Sequence, residues 1–257
     1  MFRHFRVPPL IAAMVLLAPV TSAAAAEIKV LNANALTVAM KELAADFSKE
    51  TGNQVSFVGV SPGLVEQRIK AGEVYDLVIT ATESAQAFEK DGKWRPGTRQ
   101  PLARVGIGLA VRDGVKLDLS TVESTRKALL DAKTITHSDS SGGGLSGANA
   151  QKVLANLGLA DAVKAKTKLS GNLADGQALI AKGEIDIGLF NVSEIPRAPG
   201  VVRAGPVPAP AQVYINYDSA VPVTNAAPDA ALALLKYFHR PAARPVWDKA
   251  GLEVAGE

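Results

Sequence analysis

Apolar and polar positions change period several times along the chain, and each change marks the edge of an element. EIKVLNA reads as a strand that runs out into the polar pair Asn32 and Asn34. Leu36, Met40, Leu43 and Phe47 then recur at helical spacing until Gly52 stops the pattern. NQVSFVGV is a second strand, SPGLVEQRIKAGEVY a loop and short helix ended by Gly72, and DLVITA a third, continuously apolar strand. Strand–helix–strand–helix–strand in close succession predicts a parallel α/β sheet. A second run begins near Val105 with the strand VGIGLAVR, the helix STVESTRKALLDA and the short strand KTITHS. The glycine-rich SDSSGGGLSGANAQ follows and opens a helix through Val153, Leu154, Leu157 and Leu159. LIAKGEIDIGLFNVSEI then repeats the plan of RIKAGEVYDLVITATES: helix, glycine, acidic residue, buried strand, polar exit. Two similarly built lobes are the reading. VRAGPVPAPAQ is expected to be a connection, QVYINYDSAV carries the chain onward, and DAALALLKYFHR is a closing helix.

The first 26 residues break this pattern. Arg3 and Arg6 precede the apolar PPLIAAMVLLAPV, and TSAAAAE supplies small residues for cleavage, the three-part plan of a secretory signal peptide. Export to the periplasm is expected, with the mature chain starting near Glu27 and no insertion in the membrane afterwards. The full chain carries 28 Lys+Arg against 25 Asp+Glu; removing Arg3 and Arg6 leaves 26 against 25, a net of +1. No global field recruits nucleic acid, so any preference for anions has to be local. Without cysteine, and with only His137 and His239 left after residue 26, a zinc site of His and Cys alone is excluded. No metal and no cofactor is expected.

In open α/β sheets, ligands sit beyond the carboxyl ends of the strands, at the starts of the following helices. Four segments fall there: Asn32 to Ala35, Gly59 to Gly63, Ser140 to Asn149, and the Asn191 to Ser193 exit. Each is rich in small, hydroxyl or amide residues. Singly, each is an ordinary turn or cap. The glycine run is harder to assign to structure alone, because successive glycines weaken local order unless backbone must approach something closely. It lacks the Lys-Ser/Thr end of a nucleotide P-loop, and Gly144-Leu-Ser146-Gly-Ala148 misses the G-x-S-x-G nucleophile elbow at its last place. His137 lies beside the loop and reads either as a cap residue or as a base. Arg104 at the strand entrance is a surface arginine or a cation facing the cleft, and the inward face among Tyr214, Asn216 and Tyr217 stays open.

With VLNANALTVAMKELAADF, AGEVYDLVITA, DGKWRPGTRQPLARVGIGLAV, the glycine loop and ALIAKGEIDIGLFNVSE in this order, the chain resembles the periplasmic molybdate-binding proteins of ATP-driven uptake systems. The resemblance implies a type II, two-lobed periplasmic-binding-protein fold with two crossovers. Lobe 1 would be residues 27–104 plus 214–257 and lobe 2 residues 105–213. It further implies a small anion held between the lobes by hydroxyls and backbone N–H groups, delivered by a monomer to an inner-membrane ABC permease. Carried over residue by residue, the ligand positions are Ala35 (beside Asn34), Ser61, Ser146, Leu173 and Asn191. Ala35 and Asn191 stand where the family has hydroxyl donors. Asn34, Ser61 and Asn191 together with Arg104, and with Tyr214 on the returning crossover, suit a carboxylate, which arginine can pair bidentately. Aconitate isomerase, a secreted bacterial enzyme that moves a proton along an allylic tricarboxylate, also resembles these proteins. It is the alternative reading, with His137, Asp139, Glu194 or Tyr214 as acid or base.

Overall fold

The computed structural model describes residues 25–254, apart from 142–143, 196–198 and 226–227. The segment read as a signal peptide therefore lies, but for its last two residues, outside the described residues, and so do two glycines of the loop. The strands are β1 (Glu27–Ala33), β2 (Gln54–Val60), β3 (Leu77–Ala81), β4 (Gln100–Arg112), β5 (Ile135–Ser138), β6 (Thr167–Ser170), β7 (Ile187–Asn191), β8 (Val201–Pro206), β9 (Tyr214–Ala220) and β10 (Glu253–Val254). Between them run α1 (Thr37–Thr51), α2 (Pro62–Lys70), α3 (Thr82–Lys90), α4 (Val122–Asp131), α5 (Leu145–Asn156), α6 (Ala160–Lys164), α7 (Leu173–Lys182), α8 (Pro228–His239) and α9 (Arg244–Lys249).

The strand order is β2-β1-β3-β9-β4-β7-β5-β6, with β8 and β10 pairing β4. β1 pairs both β2 and β3 in parallel, and β5 pairs both β6 and β7 in parallel. Each half is thus the parallel α/β unit that the hydrophobic pattern predicts. β3 and β7 are buried at every position, which is why both read as unbroken apolar runs: helices cover both faces. Met40, Phe47, Phe238 and Trp247 build one core against β1 and β3; Ile107, Leu129, Val153 and Leu189 build another around β5 and β7.

The halves are joined by the antiparallel pair of β4 and β9. The first part of β4 lies on β9 as far as Gly106, and from Ile107 the same strand pairs β7. Gln212, on the chain's return, fastens this point. Its Oε1 accepts from the Ile107 N–H at 2.8 Å, and its Nε2 donates to the Ile107 and Val207 carbonyls at 2.9 Å each. A Cβ at residue 106 would lie 2.7 Å from that amide, so a larger residue there would push Gln212 out of these hydrogen bonds. One expectation fails here. VRAGPVPAPAQ is not wholly a connection, because Val201–Pro206 forms β8 and pairs β4. Proline falls only at its end, so the ladder loses no donor before then.

Candidate functional site

The parallel strands of both halves point their carboxyl ends at one cavity of about 400 Å³. Asn34 and Ala35 reach it from the end of β1, and Ser61 and Pro62 from β2. Ser138 and Asp139 come from β5, Gly171 to Leu173 from β6, and Asn191 and Glu194 from β7. Gly144 to Gly147, the start of α5, form the wall between them.

Local chemistry sets each wall. Asn32 is fully buried and its Nδ2 donates to the Ala33 carbonyl at 2.9 Å and to Thr37 Oγ1 at 2.8 Å, which fixes the turn presenting Asn34 and Ala35. Ser61 caps α2, accepting from the Leu64 N–H at 3.4 Å. The α5 start is different: among the described residues no side chain caps it at Gly144, so first-turn N–H groups of this 12-residue helix are available to an anion at the cavity wall. Gly147 seats that turn on the β5 exit, since a Cβ there would lie 2.0 Å from the Ser138 carbonyl oxygen. Ser146 Oγ accepts from the Asn191 N–H at 3.3 Å, tying the α5 start to the β7 exit.

Beyond β7 a short 3-10 turn holds Glu194, which is only 9% exposed. Its carboxylate accepts from Asn191 Nδ2 at 2.8 Å and its carbonyl from Gln177 Nε2 at 2.9 Å. Asn191 Oδ1 is buried and has no partner among the described residues. Tyr217 closes the floor from β9, and burial, reinforced by the Glu194 charge, pushes its phenol far above the usual range. Asp139 is exposed at the rim. Hydrogen bonds from the Ser141 backbone N–H and hydroxyl hold its carboxyl below the usual value. Among the described residues the cavity is lined by Asp139 and Glu194 and by no Lys, Arg or His. Attraction for an anion there comes from N–H and hydroxyl dipoles rather than a formal counter-charge.

Asn34, Ala35, Ser61, Ser146, Leu173 and Asn191 are brought together; three other candidates are not. His137 is buried on β5 with Nδ1 3.0 Å from the Ser138 carbonyl oxygen, and it lines a different cavity against α5 and α6. Neighbouring strand residues face opposite sides, and Ser138 has the cleft side. Arg104 pairs Glu253 of β10 at 2.6 Å and stacks on the Tyr214 ring at 4.2 Å, outside the cleft cavity. The same alternation on β9 gives Tyr217 to the cavity while Tyr214 lines the groove beside it. Tyr217 was legible only as one member of an undecided alternating set.

Residues 28–253 match the bacterial extracellular solute-binding proteins. The chain is 27% identical over 252 residues to an aconitate isomerase from a Pseudomonas species, covering 95% of this chain and 91% of that one. It is 26% identical over 234 residues to the molybdate-binding protein ModA of Azotobacter vinelandii, covering 88% and 89%. The solved periplasmic molybdate-binding protein of Azotobacter vinelandii superimposes with a TM-score of 0.69 at 21% identity, over 89% of this chain and all of that one.

Proposed function

The chain belongs to the bacterial extracellular solute-binding protein family, and from that premise we propose that it captures a small oxyanion or carboxylate between two lobes for an ABC-type importer. Residues 27–104 with 214–257 form the first lobe in this reading and residues 105–213 the second, with β4 and the return through Gln212 as the hinge. The protein works in the periplasm as a monomer, released by removal of residues 1–26. Among the described residues no helix is long and apolar enough to cross a membrane, in keeping with this. The observation that carries the reading is the uncapped α5 start facing Asn34, Ala35 and Ser61 across the cavity. Donors from both halves converge where an anion would be enclosed by closure.

The test is the melting temperature of the purified mature chain with molybdate, sulfate, citrate and trans-aconitate in separate tubes. Saturable stabilisation by at least one anion is expected. Indifference to all four defeats the reading.

A second reading is catalytic, and Glu194 favours it: a buried carboxylate lines the cavity beside Tyr217, in a chain 27% identical to an aconitate isomerase. Here Glu194 takes a proton from one allylic carbon of the bound acid, the double bond shifts, and a proton returns to the other carbon. The proton NMR spectrum of trans-aconitate in the same tubes decides between the readings. Conversion that disappears in Glu194→Gln, with anion stabilisation kept, supports catalysis; an unchanged spectrum leaves a binding protein.

A further inference from the structure

A buried polar atom without a partner is uncommon and calls for an explanation. Among the described residues several side-chain atoms are in that state, but only Asn191 Oδ1 belongs to a residue that borders the cleft cavity. Asn191 is 4% exposed. Its amide is held in one orientation: Nδ2 donates to Glu194 Oε2 at 2.8 Å, and a reversed amide would set two oxygens against each other. The cavity wall at the β7 exit therefore contains an acceptor that no described group supplies with a proton.

The rest of the wall offers donors. Ser146 Oγ accepts from the Asn191 N–H at 3.3 Å and Ser61 Oγ from the Leu64 N–H at 3.4 Å, so each hydroxyl keeps its own proton to give. The first turn of α5 borders the same space. A fully deprotonated oxyanion or a plain carboxylate satisfies these donors, but it has only lone pairs to set against Asn191 Oδ1. An acceptor facing an acceptor in a desolvated site weakens binding, and sites reject close analogues of their ligands by this means.

We propose that Asn191 determines the specificity of the cleft, and that the solute is an anion carrying its own O–H donor. Its anionic oxygens accept from the α5 start and from Ser61 and Ser146, while its O–H donates to Asn191 Oδ1. The proposal rests on the anion-capture reading and narrows it. A monoprotonated tetrahedral oxyanion and a 2-hydroxy acid share this chemistry; at neutral pH molybdate and sulfate lack it.

The test is calorimetric titration of the wild type and Asn191→Leu at neutral pH with pairs matched except for the donor. The pairs are phosphate against sulfate, glycolate against acetate, and malate against succinate, with molybdate alongside. At least one donor-bearing member is expected to bind the wild type about tenfold or more tighter than its partner. Preference in the first pair identifies a protonated oxyanion, and preference in the other two a hydroxy acid. Asn191→Leu is expected to abolish that preference, weakening the donor-bearing member and leaving its partner as tight as before or tighter. If the melting curve shows Asn191→Leu unfolded, the wild-type ratios decide alone. Donor-bearing anions no tighter than their partners in every pair, binding of molybdate alone, or an Asn191→Leu loss equal for both members of a pair each overturn the proposal and leave anion capture standing. Binding of no probe at all overturns the anion-capture reading with it.

Discussion

Gly147→Ala tests whether the α5 start is seated on the β5 exit as described. The added methyl would lie 2.0 Å from the Ser138 carbonyl oxygen and 3.3 Å from the Ser140 backbone nitrogen. The first contact is with backbone, which cannot rotate away, so either the helix start or the loop has to move. Overpacking of this kind costs about 1–3 kcal/mol. Alanine in a helix otherwise gains about 0.5–1 kcal/mol over glycine, so a net loss of about 1–2 kcal/mol is expected. For a domain of this size that lowers the melting temperature by roughly 2–8 °C. Urea unfolding, read at its midpoint with the slope unchanged, gives the number directly. Gly171→Ala is the control, since nothing lies within 4 Å of its added carbon, and it should leave stability intact. The variant should also weaken any anion, because the displaced turn carries the free N–H groups. A Gly147→Ala protein as stable as the wild type, or more so, would show that helix propensity outweighs the contact and refute the reasoning.

Asp218→Ala should cost about 2–3 kcal/mol: Asp218 is 1% exposed and accepts from Thr82 Oγ1 at 2.6 Å and from Arg99, whose partial exposure softens the loss. Equilibrium unfolding measures it, and a loss below that of an exposed pair would contradict the burial argument. Gln212→Ala removes the bonds that fasten the two crossing strands and should destabilise by about 1–3 kcal/mol by the same assay; an unchanged midpoint would show that the crossing strands hold without it. Burial lowers the pKa of His239, whose Nε2 has no partner among the described residues. The folded state therefore binds that proton less readily than the unfolded state. Stability falls as pH drops below about 6.5 and levels off below the folded pKa, and His239→Gln should remove that segment of a melting-temperature profile. His137→Gln and Arg104→Ala should leave anion affinity unchanged in calorimetry, since both side chains lie outside the cleft cavity; a selective loss of affinity would return them to the site.

The α/β order was readable because helices bury both faces of β3 and β7, leaving unbroken apolar runs that glycines at Gly52 and Gly72 punctuate in left-handed turns. α3 was not, since only Ala85 and Phe88 of TESAQAFEK are buried and two positions define no period. The loops of the site were legible from their place after strands. Which side chain faces the cleft was not. His137 differs from Ser138, and Tyr214 from Tyr217, only in the parity of a strand, and parity is set by partners distant in sequence. Arg104 is diverted by Glu253, 149 residues away, a pairing that no local pattern announces.

The most direct test of anion capture is an amide NMR titration of the mature chain with the anion that stabilises it best. The account predicts that the backbone N–H signals of Leu145, Ser146 and Gly147 move together with those of Ala35 and Leu173 and yield one dissociation constant, because donors from both halves close on the same ligand. Shifts confined to one half, or to the surface around Arg99 and Arg104, would contradict it.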